Sequence, residues 1–229
     1  MIIYTEGTVF NAGAQAIVNT VNCDGFMGAG IALEFSLRYP KMLVDYETKC
    51  KNDLVKIGKV DYFNMGDTII INFPTKQHFQ FQSKLAWIEN GLKDFVATYK
   101  KHNIESVAFP KLGTSNGGLN WDDVKSIMEG YLSKIDLKVY ICLDTKKTAE
   151  GIEKQMVDIF NNTDFNMLGR EIRLSSKQKE KLDRIKPIKR FFKIKDEDGI
   201  GFNSYKNLFN YFYNKTHNGN EEVQLTFLN

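Results

Sequence analysis

Apolar residues follow two alternating rhythms over the first 145 positions of the chain. Short runs rich in β-branched and aromatic residues predict strands over 2–6, 16–21, 58–64, 68–73, 106–109 and 138–143. Between the later runs the spacing becomes helical. Leu85, Ile88, Leu92, Phe95, Val96 and Tyr99 fall on one face, as do Val124, Ile127, Met128, Tyr131 and Leu132. Asn120, with Asp123 three residues on, reads as the cap of the second of these helices. A further helix over about 30–39 stops before Pro40. Alternation of this kind implies an α/β fold: a parallel or mixed sheet covered on both faces, with any ligand at the carboxyl ends of the strands.

The texture changes beyond about residue 146. Ile152, Met156, Val157 and Phe160 suit one more helix, a basic helix-like segment spans 175–190, and Phe202, Tyr205, Leu208, Phe209 and Phe212 repeat at helical spacing after a turn at 196–199. The expected organisation is a main domain over 1–160 and a small basic, mainly helical extension over 161–229.

A chain of 229 residues is long enough to bury a full core. No apolar run approaches 18 residues and the first residues lack the pattern of a signal peptide, so the expected location is cytoplasmic, away from membranes. Cys23, Cys50 and Cys142 are odd in number and widely spaced, which argues against a disulfide framework; His78, His102 and His217 are equally scattered, and no metal site is expected. Residues 1–145 hold 15 basic against 16 acidic side chains, whereas 170–195 hold 11 against 3, a net +8. Such a stretch is ordinarily a solvated helix face; the alternative is contact with nucleic acid or an acidic partner.

Candidate chemistry sits in the loops. After the second strand, Gly25, Gly28 and Gly30 remove Cβ where backbone must approach a ligand, and a helix N-terminus follows. The G-x-x-G-x-G spacing reverses the dinucleotide fingerprint and lacks the Lys-Ser/Thr of a phosphate-binding P-loop. A second loop, 111–118, carries Gly113, Gly117 and Gly118 and leads into the helix capped by Asn120. Tight turns explain single glycines; two such loops together suit an elongated anion, such as a diphosphate with a sugar on either side. Lys76 lies after Pro74 and Thr75, at the end of a strongly apolar strand. It is either a solvated surface lysine or an amine that donates to developing negative charge or attacks a sugar carbon.

Asn19-Thr-Val-Asn22, Met27-Gly-Ala-Gly-Ile-Ala-Leu33, Asn72-Phe-Pro-Thr-Lys76 with His78, Pro110-Lys-Leu-Gly113 and Asn116-Gly-Gly-Leu-Asn-Trp121 together resemble a macrodomain. The resemblance, which runs from Met1 to about Thr145, is to the DarG-type DNA ADP-ribosyl glycohydrolase antitoxins, relatives of the terminal ADP-ribose protein glycohydrolase. It implies a three-layer α/β/α fold around a central mixed sheet that binds ADP-ribose. Carried over by position, Asn19, Asn22, Gly28, Ala29, Gly30, Ile31 and Thr75 belong to one wall of the cleft, Gly113, Thr114, Ser115, Asn116, Gly117 and Gly118 to the other, and Gly7, Thr8 and Val9 to the adenine side. Lys76 matches the family's catalytic lysine.

Several positions depart from the pattern. Thr8 stands where most macrodomains carry an acid for the adenine amino group, Ala29 where the DarG relatives commonly carry lysine, and Thr114 where the second loop commonly carries cysteine. Gly117 replaces the aspartate of the protein-directed relative. The resemblance therefore implies an enzyme that removes ADP-ribose from a nucleobase, thymidine in single-stranded DNA, and reverses a DarT-type toxin without a cofactor. The alternatives are a hydrolase of ADP-ribosylated glutamate or aspartate or of O-acetyl-ADP-ribose, and a non-catalytic ADP-ribose reader. The basic extension is expected either to track DNA phosphates, with Phe191 and Phe192 as stacking surfaces, or to contact the toxin.

Overall fold

Strand alternation sorts the apolar residues onto two faces, and the helices supply what covers them. The structure, a computed structural model, describes residues 1–168 and 172–217. Six strands, β1 (Ile2–Thr5), β2 (Ala16–Asn22), β3 (Asp61–Asn64), β4 (Ile69–Lys76), β5 (Ser106–Pro110) and β6 (Lys138–Cys142), form one sheet in the order β1-β6-β5-β2-β4-β3. All neighbours are parallel except β3, which runs antiparallel to β4.

On one face lie α1 (Gly30–Arg38) and α2 (Pro40–Lys51), on the other α3 (Leu85–Thr98) and α4 (Trp121–Leu132). Ile17, Val21, Ile70 and Ala108 point to the first face and pack with Phe35, Met42 and Tyr46. Val18, Ile71, Phe73, Val107 and Phe109 point to the second and pack with Ile88, Leu92, Phe95, Val124 and Met128. The expected three-layer α/β/α arrangement with a mixed sheet is therefore present. Asn120 caps α4 as its spacing predicts, accepting from the amides of Asp122 (2.8 Å) and Asp123 (3.4 Å). Pro40 does more than end a helix: after Tyr39 it occupies the first position of α2, where its missing N–H costs nothing.

By packing, the chain divides into two compact units, Met1–Thr145 and the residues from Lys146 onward. The expected boundary at 160 thus falls inside the second unit, which holds α5 (Gly151–Asn162), α6 (Ser176–Arg184) and α7 (Phe202–His217). Phe160, Phe165, Phe191 and Phe212 form its aromatic core, with ring centroids 4.9–6.2 Å apart. A buried ion pair joins Glu153 to Arg190 at 3.0 Å, and the Phe191 amide donates to the same carboxylate.

Two expectations for this unit are corrected. Phe191 is 1% exposed and serves the core, so it offers no stacking surface, while Phe192 is half-buried with Arg190 and Lys193 over its ring. The basic helix is shorter than expected and ends at Arg184. Part of the stretch's charge is paired: Lys181 with Glu197, Arg184 with Glu180 and Lys186 with Asp183. Arg170 and Glu171 of the basic stretch, and residues 218–229 of the expected extension, lie outside the described residues.

Gly91 on α3 faces Phe73, and a Cβ there would stand 2.3 Å from the ring. Gly91→Ala gains up to about 1 kcal/mol of helix propensity and incurs about 1–3 kcal/mol of overpacking. The second effect wins because the Phe73 ring is fully buried and has nowhere to go. The expected outcome is a net loss of roughly 1 kcal/mol, read as a lower urea midpoint with an unchanged m-value.

Candidate active site

Because β1, β6, β5, β2 and β4 are parallel, their carboxyl ends share one rim of the sheet. Across that rim, residues 7–9 follow β1, loop 111–118 follows β5, loop 23–30 follows β2, and Lys76 ends β4. From β1 to β4 there are four interstrand gaps, about 19 Å at ~4.8 Å each. The rim is therefore long enough for an extended ligand, with different chemistry at each end.

The loop after β2 is built on Asn22. Its side-chain oxygen accepts from the amides of Asp24 (2.9 Å) and Phe26 (3.3 Å), and its nitrogen donates to the Phe26 carbonyl at 2.6 Å. The buried Tyr46 hydroxyl, from α2, lies 3.0 Å from the same oxygen and 2.8 Å from the Asn22 carbonyl. Asn19 lies deeper, fully buried, donating to Asn72 Oδ1 (3.0 Å) and to the Met27 sulfur (3.7 Å). Both asparagines thus hold the loop from beneath. At its far end Ala29 is extended and Gly30 takes a left-handed φ of +56° to enter α1. Among the described residues none accepts from the amides of Gly28, Ala29, Gly30 or Ile31. The α1 N-terminus has no side-chain cap and no acid in its first turn, so four amides and a helix dipole are left open to an anion.

The loop after β5 folds back on itself. Leu119 N donates to the Gly113 carbonyl (3.0 Å) and Gly118 N to Ser115 O (3.2 Å). Gly117 is fixed by crowding: a Cβ would sit 2.3 Å from the Gly113 oxygen and 2.4 Å from Ser83 Oγ. Ser83, just ahead of α3, donates its amide to Gly117 O at 2.9 Å, while its buried hydroxyl has no partner. The amides of Thr114, Ser115 and Asn116 likewise donate to nothing among the described residues. The two loops meet where Asn116 Nδ2 lies 3.0 Å from the point a Gly30 Cβ would occupy. The α4 N-terminus differs from that of α1. Asn120 already caps it, and Asp122 and Asp123 occupy its first turn, so the second loop contributes backbone amides but no open helix end.

Lys76 reaches this cleft through an irregularity. The register of β2 with β4 runs evenly to Val21↔Pro74, then skips Thr75 and pairs Asn22 with Lys76. Thr75 is left buried, its hydroxyl 3.4 Å from Val21 O. Lys76 is half-buried, its amine donates to the Phe79 carbonyl at 3.2 Å, and burial lowers its pKa from the usual lysine value. Cys23 also lies in the loop. Burial, reinforced by Cys50 and Asp24, pushes its thiol up to about 11, so it stays protonated at neutral pH. Among the described residues no group of three His, Cys, Asp or Glu side chains is placed to hold a metal.

A family profile described as “Macro domain” matches residues 18–128. The chain is similar to the solved macrodomain of Mycobacterium tuberculosis DarG at 45% identity, covering 62% of this chain and 97% of that one with a TM-score of 0.61. The chain belongs to the macrodomain family. It is also similar to Thermosipho africanus DarTG, solved in complex with ADP-ribose (32% identity, 67% of this chain, 44% of that one, TM-score 0.60). Its likeness to the M. tuberculosis protein named DNA ADP-ribosyl glycohydrolase is 44% identity over 160 residues, 67% of this chain. The chain spans less than half of that relative's length, 46%.

Against this macrodomain frame, the residues singled out by sequence divide into three groups. Gly28, Ala29, Gly30, Ile31, Thr114, Ser115 and Asn116 line the facing loops, with exposed or half-exposed backbone. Asn19, Asn22, Thr75, Gly113 and Gly117 are buried supports of those loops, and Gly118 turns the second one at φ +74°. Gly7, Thr8 and Val9 sit at the β1 end, where Val9 is buried and Gly7 O accepts from Asp144 N at 3.2 Å. Sequence reasoning missed Ser83 and the segment after Lys76, where Phe79 N donates to Asp24 Oδ2 at 2.7 Å and ties that segment to the first loop.

Gly117→Ala places a methyl group against fixed backbone and forces the second loop open. The expected result is a weaker ADP-ribose affinity by calorimetry together with a stability loss of about 1–3 kcal/mol. Gly130→Ala, where nothing lies within 4 Å, serves as the control.

Proposed function

We propose that this macrodomain is an ADP-ribosyl glycohydrolase acting on a nucleobase in single-stranded DNA, thymidine being the expected base. The observation that carries the reading is the position of Lys76. It stands at the opposite end of the rim from residues 7–9, beside Asn22 and past two loops whose free amides suit a diphosphate. An ADP-ribose laid along the rim would place adenine at the β1 end, the diphosphate between Gly28–Ile31 and Thr114–Asn116, and the distal ribose at Lys76. The naming of the relatives as DNA ADP-ribosyl glycohydrolases supports DNA as the carrier of the modification.

Crowding at Gly117 bears on the mechanism. A lysine–sugar adduct requires a further acid or base to resolve it, and no side chain fits at 117 without moving Gly113 or Ser83. The ammonium form of Lys76 instead suits the role of general acid. Water adds to the anomeric carbon of the distal ribose and releases a proton to solvent, the bond from that carbon to the base breaks, and Lys76 delivers a proton to the departing base. Solvent then returns a proton to Lys76. Desolvation helps, because a lowered pKa makes the ammonium a better donor.

The biological setting proposed is alongside a DNA ADP-ribosyl transferase of DarT type, in the cytoplasm. The Thermosipho relative named as a transferase–glycohydrolase fusion supports the pairing.

The test offers the protein a thymidine-linked ADP-ribosylated oligonucleotide, an ADP-ribosylated glutamate peptide and O-acetyl-ADP-ribose. Turnover of the oligonucleotide is expected, with kcat reduced roughly 10²–10⁴-fold in Lys76→Ala. Preference for either other substrate redirects the reading, and ADP-ribose binding without turnover makes the domain a reader.

The pH profile is a second test. As the donor is the protonated amine, the rate holds at low pH and falls as pH rises through the Lys76 pKa, earlier than for an ordinary lysine. A rate that climbs across the same window assigns attack by the neutral amine instead.

A further inference from the structure

Beside Lys76 the surface carries an unusual row of rings. Phe26, from the first glycine loop, lies 5.0 Å from Phe79; Phe79 lies 4.6 Å from His78, and His78 lies 5.0 Å from Phe81. Phe26, Phe79 and Phe81 are 51%, 41% and 59% exposed. Three of the four strongly exposed phenylalanines among the described residues are therefore gathered at one place. Scattered apolar side chains on a surface need no explanation, whereas a contiguous group does.

The row is held in position from three sides. Asp24 accepts from Phe79 N at 2.7 Å and faces His78 Nε2 at 3.8 Å, Ser83 N anchors the far end of the segment to Gly117 O, and Lys76 Nζ donates to Phe79 O. Its charge is one-sided: from Thr68 to Ile88 the sequence has no carboxylate, but has Lys76, His78 and Lys84, with Gln80 and Gln82 alternating with Phe79 and Phe81. The row joins the loop after β2, through Phe26 and Asp24, to the segment that runs from Lys76 to Ser83 and meets the loop after β5 at Gly117, so it lies directly beside Lys76.

We propose that this row is a stacking platform for the bases of single-stranded DNA flanking the modified nucleotide. The proposal rests on the reading above that the departing group is a base within a DNA strand. Partly exposed aromatic rings can stack on any base, the glutamine amides between them can hydrogen-bond base edges, and the segment with Lys76 and Lys84 and no carboxylate of its own suits a phosphate backbone. Protein carrying ADP-ribose on a glutamate would not require a run of flat apolar faces beside the reacting bond. Asp24, the one acid touching the row, is already committed to holding it.

The test uses the full chain with Phe81→Ala, Phe81→Leu and Phe81→Tyr. Phe81 is exposed, so these variants leave the core intact. The quantity read is the ratio of kcat/KM for an oligonucleotide with one internal ADP-ribosylated thymidine to that for the ADP-ribosylated mononucleoside. The ratio is expected to fall roughly tenfold in the Ala and Leu variants, as one lost stacking contact implies, and to recover in Tyr. An unchanged ratio in Phe81→Ala overturns the platform, as does a Leu variant that equals Tyr, which would mark a generic apolar docking patch. If the unaltered protein cleaves neither substrate, the glycohydrolase reading fails by itself. The platform is then decided by anisotropy with an unmodified oligothymidylate of about eight nucleotides: weaker binding in Phe81→Ala upholds it, and equal binding ends it.

Discussion

The cleft depends on one carboxamide. Asn22 ends β2, and its side chain engages two loop amides, a loop carbonyl and the Tyr46 hydroxyl. Each such bond contributes about 1 kcal/mol net, and each orphaned buried partner would cost about 1–3 kcal/mol. The sum is large against a domain's total stability. Two consequences flow from that residue. The loop it shapes delivers Gly30 and the open end of α1, and the skip in strand register pairs the Asn22 backbone with that of Lys76. The open helix end and the lysine are thus positioned from the same residue.

The cleft attracts an anion by means other than fixed positive charge. Its walls are amides, and α1 adds the positive end of a dipole, whereas α4 is sealed by its own cap and acids. An anion held this way would be desolvated by backbone groups at fixed positions, with little side-chain entropy to lose.

Much of this was legible in the sequence because it rests on local rules. Period-two runs gave the strands, 3.6-residue spacing gave α3 and α4, and glycine clusters marked both loops. The misses have physical reasons. Pro40 was read as an ending although proline also opens helices, so α2 and its Tyr46 support were overlooked. Whether a phenylalanine lies inside or outside depends on partners far along the chain. Phe191 packs on Phe160 and Phe212 and is buried, while Phe79 and Phe81, in an equally polar stretch, are not. Nor could the charge count of 170–195 show that Arg190 and Lys181 meet Glu153 and Glu197 outside that stretch. The register skip at Thr75 leaves no mark in sequence, although it decides where Lys76 stands.

The strand order carries a kinetic consequence. The Lys76 end of the cleft rests on β2 and β4, neighbours joined within the first third of the chain. At the β1 end the chain is joined to β6 and the residues after it: Leu143, Asp144 and Thr145 donate to the carbonyls of Thr5, Gly7 and Glu6, and the Met1 ammonium reaches Leu137 O. Contacts of such long sequence separation form late, because the intervening chain must be ordered before they repay its entropy. During synthesis, the end that holds Lys76 is therefore built well before the β1 end.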